Sequence, residues 1–497
     1  MKKEQLPWIL AGLTLLAHAL ANPHYGFFRD ELYFIICGRH PAWGYVDQPP
    51  LTPLLAAASQ MFGDSLFLLR LVAALCAAAT VYIGSLLVIE LGGGAFAQVL
   101  AAVTIAMAPV LASFGMKQGT DMLEMPLWPL ATLFVARAIL RNEPKWWLGA
   151  GIALGVAFES KYSVIFFAIA VIAGLLCTAQ RRELISKWFW IGVLSAIIIA
   201  LPNALWQIVH GLPMLELLRN GASGKNVVLS PVDFIVQQVL IMNPVYALVW
   251  IAGLVWLLMK PPLRWAGYAF LILMVLMIAS HAKNYYPAAV YPILFCAGAC
   301  AIEFWTQQAR WSRPIIASAA VAFGSIMIPL VLPVLPIQTY IAYQSALHIT
   351  PQSGEQTKLG VLPQDYADML GWPEMVSAVA AAYHNLPAND RAHAAIFADN
   401  YGEAAAIDFF GRSYGLPPAL SGHNQYYFWG PRGFDGSVVV KVNGDAGQLR
   451  SVFRDVRRVG EISTPLVRPL EDHVPIYICR GIRIPLATVW PQTKNFI

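Results

Sequence analysis

Long apolar stretches separated by short polar turns run from the amino terminus to about residue 336, where short apolar runs in a mixed polar chain take over. A helix that crosses a bilayer needs roughly 20 mostly apolar residues. Stretches of that kind lie at 6–22, 66–91, 95–112, 122–141, 146–160, 163–179, 188–208, 236–259, 265–281, 287–305 and 314–335. They predict about eleven membrane helices, with 146–160 the shortest. The first stretch follows Met1-Lys2-Lys3 and has a second reading as a leader cleaved after Ala19-Leu20-Ala21. The order of the remaining elements is the same in both readings.

An odd number of spans puts everything after about 337 on the side opposite the amino terminus. There, 393–398, 437–442 and 475–479 read as short strands, and 402–412 and 445–454 as helices. The expectation is a membrane domain over 1–336 followed by a small α/β domain over 337–497. No Gly-rich phosphate loop occurs in the second part, so nucleotide binding there has no support. The chain shows no internal repeat of the kind that marks many transporters.

Composition agrees with the pattern. Hydrophobic residues make up 58% of the chain and charged residues 12%, against roughly 25% charged in ordinary soluble domains. The net charge of +5 is carried by cations scattered between apolar stretches, without the basic stripe of a nucleic-acid binder. With the amino terminus inside, Lys2, Lys3, Arg137, Arg141, Lys145, Arg181, Arg182, Lys187, Lys260, Arg264, Arg310 and Arg313 fall on the inner side, as the positive-inside rule requires. The cysteines Cys37, Cys76, Cys177, Cys296, Cys300 and Cys479 form no CxxC pair and sit mostly in apolar runs, which supports neither a disulfide framework nor a zinc site.

The outer side then holds the segments 23–65, 113–121, 159–162, 209–235 and 281–286. They carry Arg29, Asp30, Glu31, Lys117, Asp121, Glu124, Glu159, Lys161, His281 and Lys283. A charge at mid-bilayer costs about 2.5–3.5 kcal/mol on insertion scales, so these groups are expected to line an aqueous cavity. The segment Tyr25-Gly26-Phe27-Phe28-Arg29-Asp30-Glu31-Leu32-Tyr33-Phe34 reads as a short interfacial helix. Adjacent helical residues point about 100° apart, so one of Asp30 and Glu31 is a base and the other structural, or both belong to an ion pair centred on Arg29. Asp47, in the Pro-rich turn Trp43 to Leu51, reads as a turn residue first and a ligand second. Asp121 is a helix cap or a substrate contact, and Lys161 pairs with Glu159 or meets a lipid phosphate. Tyr285 and Tyr286 read as interfacial anchors, with His281 and Lys283 beside them as candidate ligands.

Transfer of a sugar from a polyprenyl phosphate suits this inventory. The phosphate leaves as a stable anion, so the reaction needs one base and fixed positive charge, not an acid–base carboxylate pair. The chain shows no Ser/His/Asp or Cys/His triad.

In Arg29-Asp30-Glu31-Leu32-Tyr33, Gly44-Tyr45-Val46-Asp47-Gln48-Pro49-Pro50, Thr120-Asp121, Ser160-Lys161-Tyr162 and His281-Ala282-Lys283-Asn284-Tyr285-Tyr286-Pro287 the chain resembles bacterial members of glycosyltransferase family 39. That group holds the dolichyl-phosphate-mannose protein mannosyltransferases and aminoarabinose transferases. The resemblance covers the membrane part and implies a GT-C fold, a polyprenyl-phosphate-sugar donor, inversion at the anomeric carbon, and a lipid or glycan acceptor on the periplasmic side of a bacterial inner membrane. The family's acidic pair maps onto Asp30 and Glu31. Arg29, Tyr33, Asp47, Lys117, Asp121, Lys161, Tyr162, His281, Lys283, Tyr285 and Tyr286 are expected to bind substrate. Some members use a divalent metal and others none; no compact ligand spacing appears here, and Asp30 and His281 are distant candidates. The protein-mannosylating branch carries a large inserted domain that this chain lacks, which argues against a protein acceptor. Asn400-Tyr401-Gly402-Glu403-Ala404 and Ser421-Gly422-His423-Asn424-Gln425-Tyr426-Tyr427 are similar to the carboxy-terminal segments of other bacterial members, which implies a part that binds acceptor glycan or one that caps the site. A carrier or flippase of lipid-linked sugars is the rival reading, and a membrane scaffold is a third.

Overall fold

The computed structural model describes residues 5–351 and 354–497; Lys2 and Lys3, expected on the inner side, lie outside these residues. A helix stands at every position where a membrane span was expected. These are α1 (Leu6–Ala21), α4 (Leu66–Glu90), α5 (Ala95–Met107) with α6 (Pro109–Met116), α7 (Glu124–Leu140), α8 (Trp146–Phe158), α9 (Val164–Leu176), α10 (Lys187–Val209), α13 (Pro244–Met259), α14 (Arg264–Ala279), α15 (Tyr291–Trp305) and α16 (Ser312–Val331). Between them lie α2 (Arg29–Arg39), α3 (Leu51–Ser59), α11 (Pro213–Gly224) and α12 (Pro231–Ile241). By length and apolarity, four helices among the described residues can each cross a membrane unaided, and bent pairs raise the count to seven.

Two breaks have a visible cause. α5 and α6 meet at 65°, where Pro109 lacks the amide that would continue the ladder and forces Ala108 into an extended conformation. α12 and α13 meet at 107°, at Asn243 with φ 77° followed by Pro244. The span expected over 236–259 therefore begins at Pro244, and α12 turns off across it.

At one end of the bundle the basic residues hold neighbouring turns together. Arg137 and Arg141 both pair with Glu90, and Arg313 reaches the Glu303 carbonyl at 2.7 Å. The polar residues of the other end meet the carboxy-terminal segment.

That segment contains a five-stranded mixed sheet in the order β2-β1-β3-β5-β4, made of β1 (Ala394–Phe397), β2 (Ala419–Leu420), β3 (Val438–Val442), β4 (Phe453–Ile462) and β5 (Val474–Ile482). β1 is parallel to β2 and β3, and β5 is antiparallel to β3 and β4. The three apolar runs became β1, β3 and β5. β4 was missed because its sequence, Phe453-Arg454-Asp455-Val456-Arg457-Arg458-Val459-Gly460-Glu461-Ile462, is charged on an exposed edge and lacks a clean alternation.

α2 departs from the expected interfacial helix. Glu31 through Gly38 are all buried, and Leu32, Phe34, Ile35 and Ile36 share a core with β1, β3, β5 and the helices Trp372–His384 and Tyr401–Phe410. An apolar run on every side of a helix signals burial rather than a surface position. Gly38 lets α2 lie hard against α3: a Cβ there would stand 2.1 Å from the Pro53 carbonyl oxygen.

Candidate functional site

The amino-terminal turn of α2 fixes the two adjacent carboxylates differently. Glu31 turns back to accept the Phe28 amide at 2.8 Å and also accepts the Gln118 amide at 2.9 Å. Arg70 of α4 forks onto the same carboxylate at 2.9–3.3 Å, and its remaining protons go to the carbonyls of Asn22, His24 and Gly26. Both side chains are 0% exposed. Of the two expected catalytic carboxylates, Glu31 thus has its oxygens committed to the protein and ties α2, α4 and the 113–118 turn together.

Asp30, in contrast, keeps its side chain 32% exposed. Its Oδ1 accepts Arg29 Nε at 3.2 Å and the Tyr401 hydroxyl at 2.7 Å. Oδ2 accepts no hydrogen bond among the described residues. Burial works to raise its pKa, but Arg29 and the Tyr401 hydroxyl outweigh this and hold it below the usual carboxylate range. Arg29 is itself braced: its amide donates to the Asp368 carbonyl at 3.0 Å and its guanidinium lies 3.8 Å from the Asp368 carboxylate.

Asp47 lies in the loop facing α2. Its oxygens accept the Tyr33 hydroxyl and the Asn424 amide, each at 3.0 Å, while burial, helped by the nearby Asp30 charge, pushes its pKa up to about 6. Tyr33 is buried, and its hydroxyl also accepts the Gln425 amide at 3.2 Å. Tyr162 donates to Asn203 at 2.8 Å, beside Gln207, which reaches the Tyr45 carbonyl. Tyr33 and Tyr162, expected to bind substrate, are placed as braces of the 41–50 loop.

Arg29 and Lys225 act on Asp30, and further cations come from separate turns. Lys161 pairs with Asp121 and not with Glu159; burial works to lower its pKa, and Asp121 and Glu124 hold it up. Its ammonium sits 4.3 Å from the Tyr286 ring centre and 5.3 Å from that of Tyr285, so these phenols cage a cation. α7 starts at Glu124, with Leu123 at its cap and no side-chain cap bond, which removes the capping role considered for Asp121. Lys117 pairs with Asp365 at 2.7 Å. Lys283 and Lys225 converge on Glu355 at 3.4 and 3.8 Å. His281 is exposed; with φ 50° it closes the end of α14.

The structure therefore gathers Arg29, Asp30, Asp47, Lys117, Asp121, Lys161, Lys283, Tyr285 and Tyr286 on one face and sets Glu31, Tyr33 and Tyr162 behind them. Sequence reasoning missed Lys225, Glu355 and Asp368; it marked the segments of Tyr401 and Asn424 as binding acceptor or capping the site, without assigning either residue a partner. The segment Asn400-Tyr401-Gly402-Glu403 carried a local signal, since Asn400 caps its helix and Glu403 reaches back in a capping box; nothing in the sequence says it meets Asp30. Among the described residues no group of three or more His, Cys, Asp or Glu could hold a metal ion, so Asp30 and His281 form no such group.

Comparison with known proteins adds the family context. Residues 47–206 match the family model described as dolichyl-phosphate-mannose-protein mannosyltransferase. No curated protein sequence matches the chain. Among solved structures, ArnT from Cupriavidus metallidurans in the apo state superposes with a TM-score of 0.63 at 13% identity, covering 95% of this chain and 97% of that one. The same protein bound to undecaprenyl phosphate gives 0.60 at 11% identity with the same coverage. The mycobacterial arabinofuranosyltransferase AftD gives 0.50 at 14% identity, over 97% of this chain and 40% of that one. Residues 47–206 match the mannosyltransferase family model, and the whole chain is a multi-span membrane protein with the GT-C glycosyltransferase fold of these structures.

Proposed function

We propose that this GT-C glycosyltransferase moves a sugar from a polyprenyl phosphate to a lipid or glycan acceptor, with inversion and with Asp30 as general base. The observation that carries the reading is a carboxylate with one oxygen that accepts no hydrogen bond among the described residues, beside Arg29 and in the field of Lys225. The acceptor hydroxyl gives its proton to Asp30 Oδ2 as its oxygen attacks the anomeric carbon; the bond to phosphate breaks, and the phosphate leaves with the electron pair. Arg29, Lys161, Lys225 and Lys283 supply positive charge for that anion, in exchange for the carboxylates they pair with here. A single displacement inverts the centre. Glu31 is structural in this scheme. The undecaprenyl phosphate seen with ArnT supports the donor class.

In the same reading, 1–336 is the membrane unit, 337–497 is periplasmic, and the protein lies in a bacterial inner membrane. The scattered cations at the opposite end of the bundle support that orientation. The test is transfer of label from a panel of radiolabelled undecaprenyl-phosphate sugars in proteoliposomes. Asp30→Asn, folded and still binding undecaprenyl phosphate, is expected to lose at least about 100-fold in kcat; full activity in that variant removes Asp30 as the base.

A further inference from the structure

Asp30 and Asp47 come from the membrane half of the chain, yet each is held by a donor from beyond residue 400. The Tyr401 hydroxyl reaches Asp30 Oδ1 at 2.7 Å, and Asn424 Nδ2 reaches Asp47 Oδ2 at 3.0 Å. Gln425 adds two bonds, its amide to the Tyr33 hydroxyl and its Oε1 from the Val46 amide, both at 3.2 Å. Tyr401 is itself buried between the Tyr33 ring at 4.6 Å, the His423 ring at 4.9 Å and the Arg29 guanidinium at 5.1 Å. Its hydroxyl therefore has little freedom to point elsewhere.

We propose that Tyr401 is a positioning residue for Asp30 and that Asn424 is one for the Asp47 loop, so that the carboxy-terminal segment builds one wall of the reaction chamber. This rests on the reading of Asp30 as base. Oδ1 is occupied by Arg29 and Tyr401, so the carboxylate presents Oδ2 in one orientation. A hydrogen bond to the ionised form also stabilises that form. The charged and titratable groups that face Asp30 are Arg29 from its own helix, Tyr401 and Asp368 from the carboxy-terminal segment, Lys225 from the stretch after α11, and Asp47. Tyr401 alone among them touches Asp30 from the other half of the chain.

The test uses the full chain in proteoliposomes, with the radiolabelled undecaprenyl-phosphate sugars as probe and kcat and KM followed across pH. Y401F keeps the ring and removes the donor. The expected result is a loss of about tenfold in kcat at neutral pH, an acidic limb moved to higher pH, and an unchanged donor KM. N424A, which does not touch Asp30, is expected to lower kcat with the limb in place. A Y401F enzyme with wild-type kcat, or with lowered kcat and an unmoved limb, overturns the role of Tyr401. If Y401F does not accumulate, N424A decides alone, and wild-type kcat in it overturns the proposal. Because D30N is measured alongside, an inactive D30N with an unaltered Y401F sinks the positioning claim while leaving the base in place.

Discussion

Two neighbouring carboxylates on one helix have opposite surroundings. Glu31 has every oxygen engaged in a dry ion pair with Arg70, whereas Asp30 keeps one oxygen without a hydrogen bond among the described residues. Breaking a buried pair by removing one partner costs about 3–5 kcal/mol, because the other charge is left without compensation. Arg70→Met is therefore expected to prevent accumulation of folded protein, measured as monodisperse protein in detergent, whereas D30N is expected to accumulate normally. Glu403 makes a separate prediction. Burial, with the neighbouring Glu471 charge, raises its pKa well above the usual carboxylate value, while its Oε2 accepts the Asp399 amide at 2.7 Å. A raised folded pKa favours the native state below the unfolded value and loses that contribution as pH rises through the folded one. Glu403→Gln is expected to flatten that part of the decline in thermal stability on going to alkaline pH; an unchanged slope shows that Glu403 is already ionised. The sequence exposed the Asp-Glu pair but not which member does what, because that choice depends on Arg70, 39 positions away from Glu31.

Among the elements, apolar length marked positions at each of which a helix stands, since hydrocarbon tolerates no exposed backbone and leaves a strong signal. Helix ends were less legible. α7 begins three residues after Asp121, whose carboxylate pairs with Lys161 from another turn, and α13 begins at Pro244 because an amide is missing there. α2 was legible as a helix but not as a buried one, as its cover comes from residues 372–410. Its contact with α3 gives a prediction. Gly38→Leu forces α2 off Pro53 and Ala57, which costs about 1–3 kcal/mol as overpacking. Because α2 carries Asp30, kcat is expected to fall more than the melting temperature suggests. Retained transfer rates in a folded Gly38→Leu protein refute a rigid α2.

For the molecule as a whole, the charged turns come from five stretches of sequence yet meet at one end of the bundle, under the carboxy-terminal segment. The sorting of charge was readable in advance, because ions avoid hydrocarbon wherever they occur in the chain. The resemblance marked the segments of Tyr401, Asn424 and Gln425 as binding acceptor or capping the site, but not their contacts with Asp30, Asp47 and Tyr33, since these span roughly 370–390 residues and leave no local pattern. The account stands on this one-sided chamber. Its most direct test is labelling of single cysteines with a membrane-impermeant maleimide in intact and permeabilised spheroplasts, in a background with the native cysteines replaced. Cysteines at Asp64, beside α3, and at Lys358, near the Glu355 cluster, are expected to label from outside in intact cells, and one at Gln307, in the turn between α15 and α16, only after permeabilisation. Labelling of 64 and 358 from opposite sides of the membrane, or of 307 from the same side as both, contradicts a single outward-facing site.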